Sequence, residues 1–304
     1  MIKDCSIGVD LGGTNLRVAL VSRAGEVLER TETPSCPVAG GDVVENLATA
    51  IGCLFSDRVA GIGLAVPGLV DAQSGGIVTS PNIKAIEGVN LVDIFSRRLG
   101  VPVFLGNDAS LAALGESVAG AGRDFNSFVL LTLGTGIGGG VVINRKLLET
   151  ATELGHVTVE ASGRPCLCGN TGCLEAYAGA SAIAAAAREA VSSGAATRMK
   201  NHDGNLTPED VYRYFKDGDA AAIEVMTTAG KYLGVGIASF INIFSPDAVI
   251  LTGGLTGAWD ILVEVAVREA SRRAFPPLFQ RVKIVPSALA GNAGIIGASA
   301  LAFS

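Results

Sequence analysis

His156, Cys166, Cys168 and Cys173 place one imidazole and three thiols in a single short segment, ELGHVTVEASGRPCLCGNTGCLE, running from Glu153 to Glu175. One nitrogen and three sulfurs form the donor set of a closed tetrahedral Zn²⁺ site, which is structural because no position remains for water. Gly169 and Gly172 allow the tight turns that bring the cysteines back to one ion. Three cysteines between 166 and 173, with glycines among them, argue against three unrelated buried thiols. Glu153 and Glu175 bracket the segment. With four softer ligands at hand they are not needed by the metal and are left to meet something else.

Two glycine loops offer backbone N–H groups to an anion. Asp10-Leu11-Gly12-Gly13-Thr14-Asn15 sets Gly12, Gly13 and the Thr14 hydroxyl where nothing bulky hinders a phosphate, and Gly134-Thr135-Gly136-Ile137-Gly138-Gly139-Gly140 repeats the arrangement. Each loop leads into a strand where a Rossmann loop would open a helix, and no Gly-Lys-Ser/Thr follows, so Walker A is absent. Taken singly, either loop also reads as an ordinary turn. Asp10, at a strand end, suits Mg²⁺ held directly or through water against a polyphosphate. Asn107-Asp108 ends another strand, just before a helix over 109–118. There Asp108 either caps the helix or accepts the proton of a bound hydroxyl.

These groups need a scaffold, and the sequence suggests a duplicated one. Residues 6–29 and 128–149 both read as strand, glycine turn, strand, polar turn, strand, with Asp10 over Thr132 and Gly12 over Gly134. The offset of 122 residues (132 − 10) is too long for a solenoid and suits a repeated domain. Helices are expected over 42–55, 91–99, 109–118, 176–192, 207–215, 219–244, 258–274 and 291–302, and strands over 61–66, 101–105, 248–252 and 282–285. Such alternation means an α/β fold with parallel pairing. Ligands then collect beyond the carboxyl ends of strands, where Pro67-Gly68, Asn107-Asp108, Gly134-Thr135 and Gly253-Gly254 all fall.

The paired strand–glycine-loop units resemble the actin-like, ribonuclease H-like ATPase superfamily. The string from Cys166 to Glu175, with Glu153-Leu154-Gly155-His156 upstream, resembles the ROK family of sugar kinases and related repressors. The likeness runs from DLGGTN to Gly291-Asn292-Ala293-Gly294. It implies an α/β protein of duplicated ribonuclease H-like (actin-like ATPase) domains, 1–110 plus 291–304 forming the smaller and 111–290 the larger with the zinc motif. The active site would lie in the interdomain cleft.

The implied reaction is ATP-dependent phosphorylation of the 6-hydroxyl of an aldohexose, glucose first, with N-acetylmannosamine, N-acetylglucosamine, allose or fructose as alternative acceptors. On matching positions, Asp108 is the catalytic base, and Gly68, Asn107, Asp108, Glu153, His156 and Glu175 bind the sugar. Asn82, after Pro81, has both a sugar contact and a turn open to it. The phosphates of ATP lie along Asp10, Gly12, Gly13, Thr14, Gly134, Thr135, Gly136 and Gly138, with the nucleoside near Gly253 and Gly254 and Mg²⁺ accompanying the nucleotide. The zinc on His156, Cys166, Cys168 and Cys173 is structural, and the metallated imidazole donates from its other nitrogen. A homodimer or higher homo-oligomer is the family habit. Three departures from the family pattern surround the sugar pocket: only residues 147–152 separate Lys146 from Glu153, Arg145 stands at a turn often occupied by glycine, and Ile86 stands where many relatives have tryptophan.

Composition narrows the classes further. The chain has 304 residues, a net charge of −6 and no basic run beyond Arg97-Arg98 and Arg272-Arg273, which excludes a nucleic-acid footprint. No apolar stretch is long enough for a membrane span, and the first residues have no signal-peptide pattern, so a cytoplasmic protein is expected. A sugar-sensing regulator of the same family would carry a helix-turn-helix ahead of the first glycine loop, and Asp10 stands too near the start for one. Cys5, Cys36 and Cys53 are expected as buried small apolar residues, and His202 as exposed and idle.

Overall fold

The computed structural model describes residues 3–35, 42–71, 75–80 and 83–303. Cys36 and Asn82 lie outside them, so the expectations placed on both have no structural counterpart. The chain opens with the meander β1 (Cys5–Leu11), β2 (Asn15–Ser22) and β3 (Val27–Pro34), followed by α1 (Val43–Leu54) and β4 (Val59–Val66). A short hairpin, β5 (Leu69–Asp71) and β6 (Gly76–Thr79), precedes α2 (Leu91–Leu99), β7 (Val103–Asn107) and α3 (Asp108–Ala119). Then come β8 (Phe128–Leu133), β9 (Ile137–Ile143), β10 (Lys146–Leu147), α4 (Glu175–Ala178), α5 (Ala180–Ser192), α6 (Pro208–Lys216) and α7 (Ala220–Phe244). The chain closes with β11 (Ala248–Thr252), α8 (Glu264–Arg273), α9 (Pro276–Phe279), β12 (Lys283–Pro286) and α10 (Ala293–Leu301).

Two five-stranded sheets carry the same order, β3-β2-β1-β4-β7 and β10-β9-β8-β11-β12. In the first, β1 runs antiparallel to β2 and parallel to β4, and β4 is parallel to β7. In the second, β11 and β12 are parallel. The duplication seen in two glycine-loop segments thus extends to whole sheets.

By their internal contacts the described residues form two compact units. One comprises Met1–Phe128, Gly140–Thr152 and Ser287–Ser304, and the other Val129–Gly139 and Glu153–Pro286. The first unit takes in residues 111–128, with α3, 140–152 and 287–290 beyond the 1–110 plus 291–304 expected from the sequence. The packing of α10 explains the place of α3. A Cβ on Gly115 of α3 would collide with the Ala293 carbonyl, and one on Gly297 of α10 with the Leu111 carbonyl. On its other side α10 lies on Gly8 and Gly63 of the sheet, where a Cβ would strike the carbonyls of Ile295 and Ala298. Backbone therefore meets backbone on both faces of α10, which locks α3, α10 and the first sheet together. The buried carboxylate of Glu116 on α3 adds to this by accepting the Ala121 N–H at 2.7 Å, the Leu289 N–H at 3.1 Å and the Ser287 hydroxyl.

Several elements differ from expectation. The helix expected over 176–192 is broken at Gly179 into α4 and α5. The one expected over 258–274 begins as a 3-10 turn, Gly254–Ala258, and a π-helical turn, Trp259–Val263, before α8. Cys5 is buried as expected, whereas Cys53 faces solvent on α1. His202 is not idle: its Nε2 lies 3.4 Å from Asp210, and its ring stands edge-on to Tyr214. Among the described residues no helix is long and apolar enough to cross a membrane.

Two alanine substitutions, one on α10 and a control on α1, test this packing. Gly297→Ala, whose Cβ would meet the Leu111 carbonyl, should lower unfolding free energy by about 2–3 kcal/mol in urea denaturation. Gly52→Ala, within α1 and with nothing within 4 Å of its Cβ, should raise it by about 0.5–1 kcal/mol.

Candidate functional site

On the first unit, the turn between β1 and β2 is closed by the Gly12 N–H bonding the Asn15 carbonyl at 2.9 Å, which leaves Gly13 and Thr14 exposed. Ser35, just past β3, pins this turn: its hydroxyl donates to the Gly12 carbonyl at 2.5 Å and its N–H to the Thr14 carbonyl at 2.9 Å. Asn46 on α1 in turn donates to the Ser35 carbonyl at 3.0 Å. Asp10 faces the N-terminal turn of α10, where Gly294 leaves its carboxylate room. Burial raises the Asp10 carboxyl above its ordinary value, opposed by the guanidinium of Arg17 at 3.6 Å and by Arg30. Arg17 also reaches Glu32 at 3.3 Å, and Arg30 joins Glu32 and Asn292 at 2.7 Å each. Neither Ser35 nor Arg17 carried a sequence signal, because both act from strands paired with the loop.

Asn107 and Asp108 sit where β7 becomes α3. The cap is Asn107: its Oδ1 accepts the Ser110 N–H at 3.0 Å, and its Nδ2 donates to the Gly68 carbonyl at 3.0 Å. Capping is thus done by the neighbour, and Asp108 occupies the first helical position, with Oδ1 accepting the Ala109 N–H at 2.8 Å. Gly68, at φ +107°, packs so closely on Thr79 and Ser80 that a Cβ has no space. Ser80 is held by Glu87, whose carboxylate accepts the Ser80 N–H at 2.7 Å, the Lys84 ammonium at 2.9 Å and the Thr79 hydroxyl at 3.0 Å.

On the second unit, the loop joining β8 to β9 is held from within and from behind. The Gly134 N–H bonds the Gly136 carbonyl at 3.0 Å, and the Gly138 N–H bonds the Thr132 hydroxyl at 3.1 Å. From behind, the Ala180 and Ser181 N–H groups at the start of α5 donate to the Gly134 and Thr135 carbonyls at 3.0 and 3.2 Å. Glu175 is not an idle carboxylate, because its Oε2 accepts the Ile137 N–H at 2.8 Å. Gly253, at φ +99°, packs on the Leu133 backbone and is exposed together with Gly254. Glu153 is exposed at the start of a 3-10 turn, Leu154–His156.

The donor atoms of His156, Cys166, Cys168 and Cys173 all lie within 4.8 Å of one another. His156 Nδ1 is 3.6 Å from Cys166 Sγ, and Cys168 Sγ is 3.7 Å from Cys173 Sγ. Zinc bonds of about 2.3 Å to sulfur and 2.0–2.1 Å to nitrogen give tetrahedral edges of about 3.8 Å between sulfurs and 3.6 Å from nitrogen to sulfur. The cluster therefore fits a tetrahedral N,S₃ ion. Burial pushes the Cys173 thiol up to about 12, so a cation is what makes it a thiolate at neutral pH. Of the two ring nitrogens, Nδ1 is the one set among the thiols.

The model of the ROK family matches residues 6–304. The chain belongs to the ROK family. Among ROK proteins, the glucokinase of Halalkalibacterium halodurans is 35% identical over 306 residues, covering 96% of this chain and 92% of that one. A ROK family glucokinase from Streptomyces griseus, solved in complex with glucose and AMPPNP, has a TM-score of 0.83 and 30% identity over 98% of both chains. A ROK family transcriptional regulator, a homologue of the E. coli MLC protein, has a TM-score of 0.88 and 29% identity over 98% of this chain and 78% of its own. The protein accordingly has the two-domain actin-like ATPase fold of the ROK sugar kinases.

Glu87 gives this region a measurable pH signature. The Ser80 N–H, then Lys84 and Thr79, hold its carboxyl down to about 2, against an ordinary 4.5. Because the folded value is the lower one, this contribution to stability is complete above about 4.5 and lost as pH falls towards 2. A ¹³C carboxyl titration should place the Glu87 midpoint near 2, and Glu87→Gln should remove that part of the acid dependence of unfolding.

Proposed function

We propose that the protein transfers the γ-phosphoryl group of ATP to the 6-hydroxyl of glucose. The observation that carries this reading is the His156 ring with Nδ1 among three thiols, in a chain alike end to end to a glucokinase solved with glucose and AMPPNP. His156, Cys166, Cys168 and Cys173 would hold zinc, and with Nδ1 so occupied the ring would be neutral with hydrogen on Nε2, a donor suited to a sugar hydroxyl. Glu153 and the Oε1 of Glu175 complement it as acceptors of hydroxyl protons. Asn107 and Gly68, tied to each other at 3.0 Å, form a polar edge beside Asp108. The short segment 147–152, Arg145 and Ile86 are the positions to vary in questions of sugar preference.

Asp108 takes the proton of the 6-hydroxyl as that oxygen bonds the γ-phosphorus, and the bond to the bridging oxygen of ADP breaks. Backbone N–H groups of the two glycine loops stabilise the charge spread over the transferring group. Asp10 would hold Mg²⁺ on the polyphosphate, since that ion takes only one or two protein carboxylates, and the ion would offset charge on the phosphates. Gly253 and Gly254, exposed and without side chains, receive the nucleoside. With ATP and a free hexose as substrates, the protein works in the cytoplasm.

A coupled ADP-release screen over glucose, mannose, fructose, allose, N-acetylglucosamine and N-acetylmannosamine tests the reading. Glucose should give the highest kcat/KM, and the absence of hexose-dependent ADP release would sink it. Asp108→Asn should lower kcat by about 10²–10⁴-fold, the usual worth of a general base, with glucose affinity little changed. Stripping zinc with a chelator should abolish glucose binding and lower Tm, and added Zn²⁺ should restore both.

A further inference from the structure

Three residues of the segment Leu174–Ser181, just after the last candidate metal ligand, reach the β8–β9 loop: Glu175, Ala180 and Ser181. Cys173 is a candidate ligand and Leu174 is buried, with its N–H on the Val157 carbonyl at 2.9 Å. Glu175 then places Oε2 on the Ile137 N–H at 2.8 Å and against Gly136, where a Cβ would collide with that oxygen. After one turn Gly179 breaks the helix, which frees the Ala180 and Ser181 N–H groups for the Gly134 and Thr135 carbonyls. The segment that ends the metal site is thus also the backing of a glycine loop.

The chemistry of Glu175 is odd for a purely structural brace. A glutamine oxygen would accept the Ile137 N–H equally well, whereas a carboxylate puts negative charge beside a loop suited to an anion. That charge opposes a polyphosphate until something satisfies the other oxygen. A hydroxyl donating to Oε1 draws charge away from Oε2 and leaves the loop geometry in place.

We infer that Glu175 is a positioning residue coupling occupancy of the sugar side to the phosphate affinity of the Gly134–Gly138 loop. The inference rests on the kinase reading given above, and it adds that the two substrates bind synergistically through one carboxylate.

The test is a thermodynamic cycle with glucose and Mg²⁺–AMPPNP, titrated calorimetrically on the wild type, Glu175→Gln and Gly136→Ala. In the wild type, glucose should tighten AMPPNP by a factor in the range typical of two-site coupling, about 5–150-fold. In E175Q, which keeps the bond to Ile137 and loses the charge, AMPPNP should bind without glucose at least as tightly as in the wild type, and the glucose effect should fall towards one. In G136A, whose new methyl displaces Oε2, glucose affinity should fall several-fold although the residue lies in the phosphate loop. Full coupling retained in E175Q, or unchanged glucose affinity in G136A, overturns the inference, as does absence of coupling in the wild type. A wild type that transfers no phosphoryl group to any hexose is a different failure, that of the kinase reading.

Discussion

Coordination of one imidazole nitrogen decides the chemistry of the other. With zinc on Nδ1 of His156, beside Cys166, Cys168 and Cys173, the ring would be held neutral and fixed, and Nε2 would carry the hydrogen. The four ligands come from a loop with few apolar side chains to pack: Leu167 at its tip is fully exposed, and Cys168, Gly169 and Asn170 are exposed with it. Such a loop cannot be positioned by hydrophobic burial. A metal can position it, since coordination supplies folding energy where apolar area is missing. Glu153, His156 and Glu175 lie at or beside those ligands, so a metal there would help to place them, together with buried Leu154 and Leu174.

The same economy governs the glycine loops. Each is closed by internal bonds from its own N–H groups, at Gly12 in the first and at Gly134 and Gly138 in the second, and is held further through its carbonyls or from its flanks. Ser35 does this for the first loop and the start of α5 for the second. Different groups, a serine beside one loop and two backbone N–H donors behind the other, therefore do the same task on two copies of one sheet. Behind the first loop, α10 is clamped between α3 and β1 through glycines at backbone contact, so the helix facing Asp10 and the helix beginning at Asp108 belong to one rigid block.

Local chemistry was legible in the sequence, and long-range consequences were not. The metal cluster, the two loops and the Asn-Asp pair are readable because their spacing lies within a few residues. The repeated strand–loop pattern foretold the duplicated sheets, since both copies keep the same order of residue types. The break at Gly179 was easily missed, because the only local signal is one glycine in an alanine-rich stretch and the bonds that accompany it go to Gly134 and Thr135, 46 residues upstream (180 − 134). Asn107 rather than Asp108 caps α3 because the Gly68 carbonyl orients its amide, a partner no local pattern names. Cys53 faces solvent because its position on α1 falls opposite Val43, Leu47 and Ile51, which carry the buried face.

Two histidines in the whole chain make the central claim directly observable. With ¹⁵N-histidine and zinc-loaded protein, a long-range ¹H–¹⁵N spectrum reports the protonation of each ring nitrogen, and His202→Gln assigns the signals. The account requires Nδ1 of His156 to be metal-bound and Nε2 to carry the proton across neutral pH, with the Nε2–H signal shifting when glucose is added. Metal on Nε2, or an Nε2–H signal indifferent to saturating glucose, would contradict it.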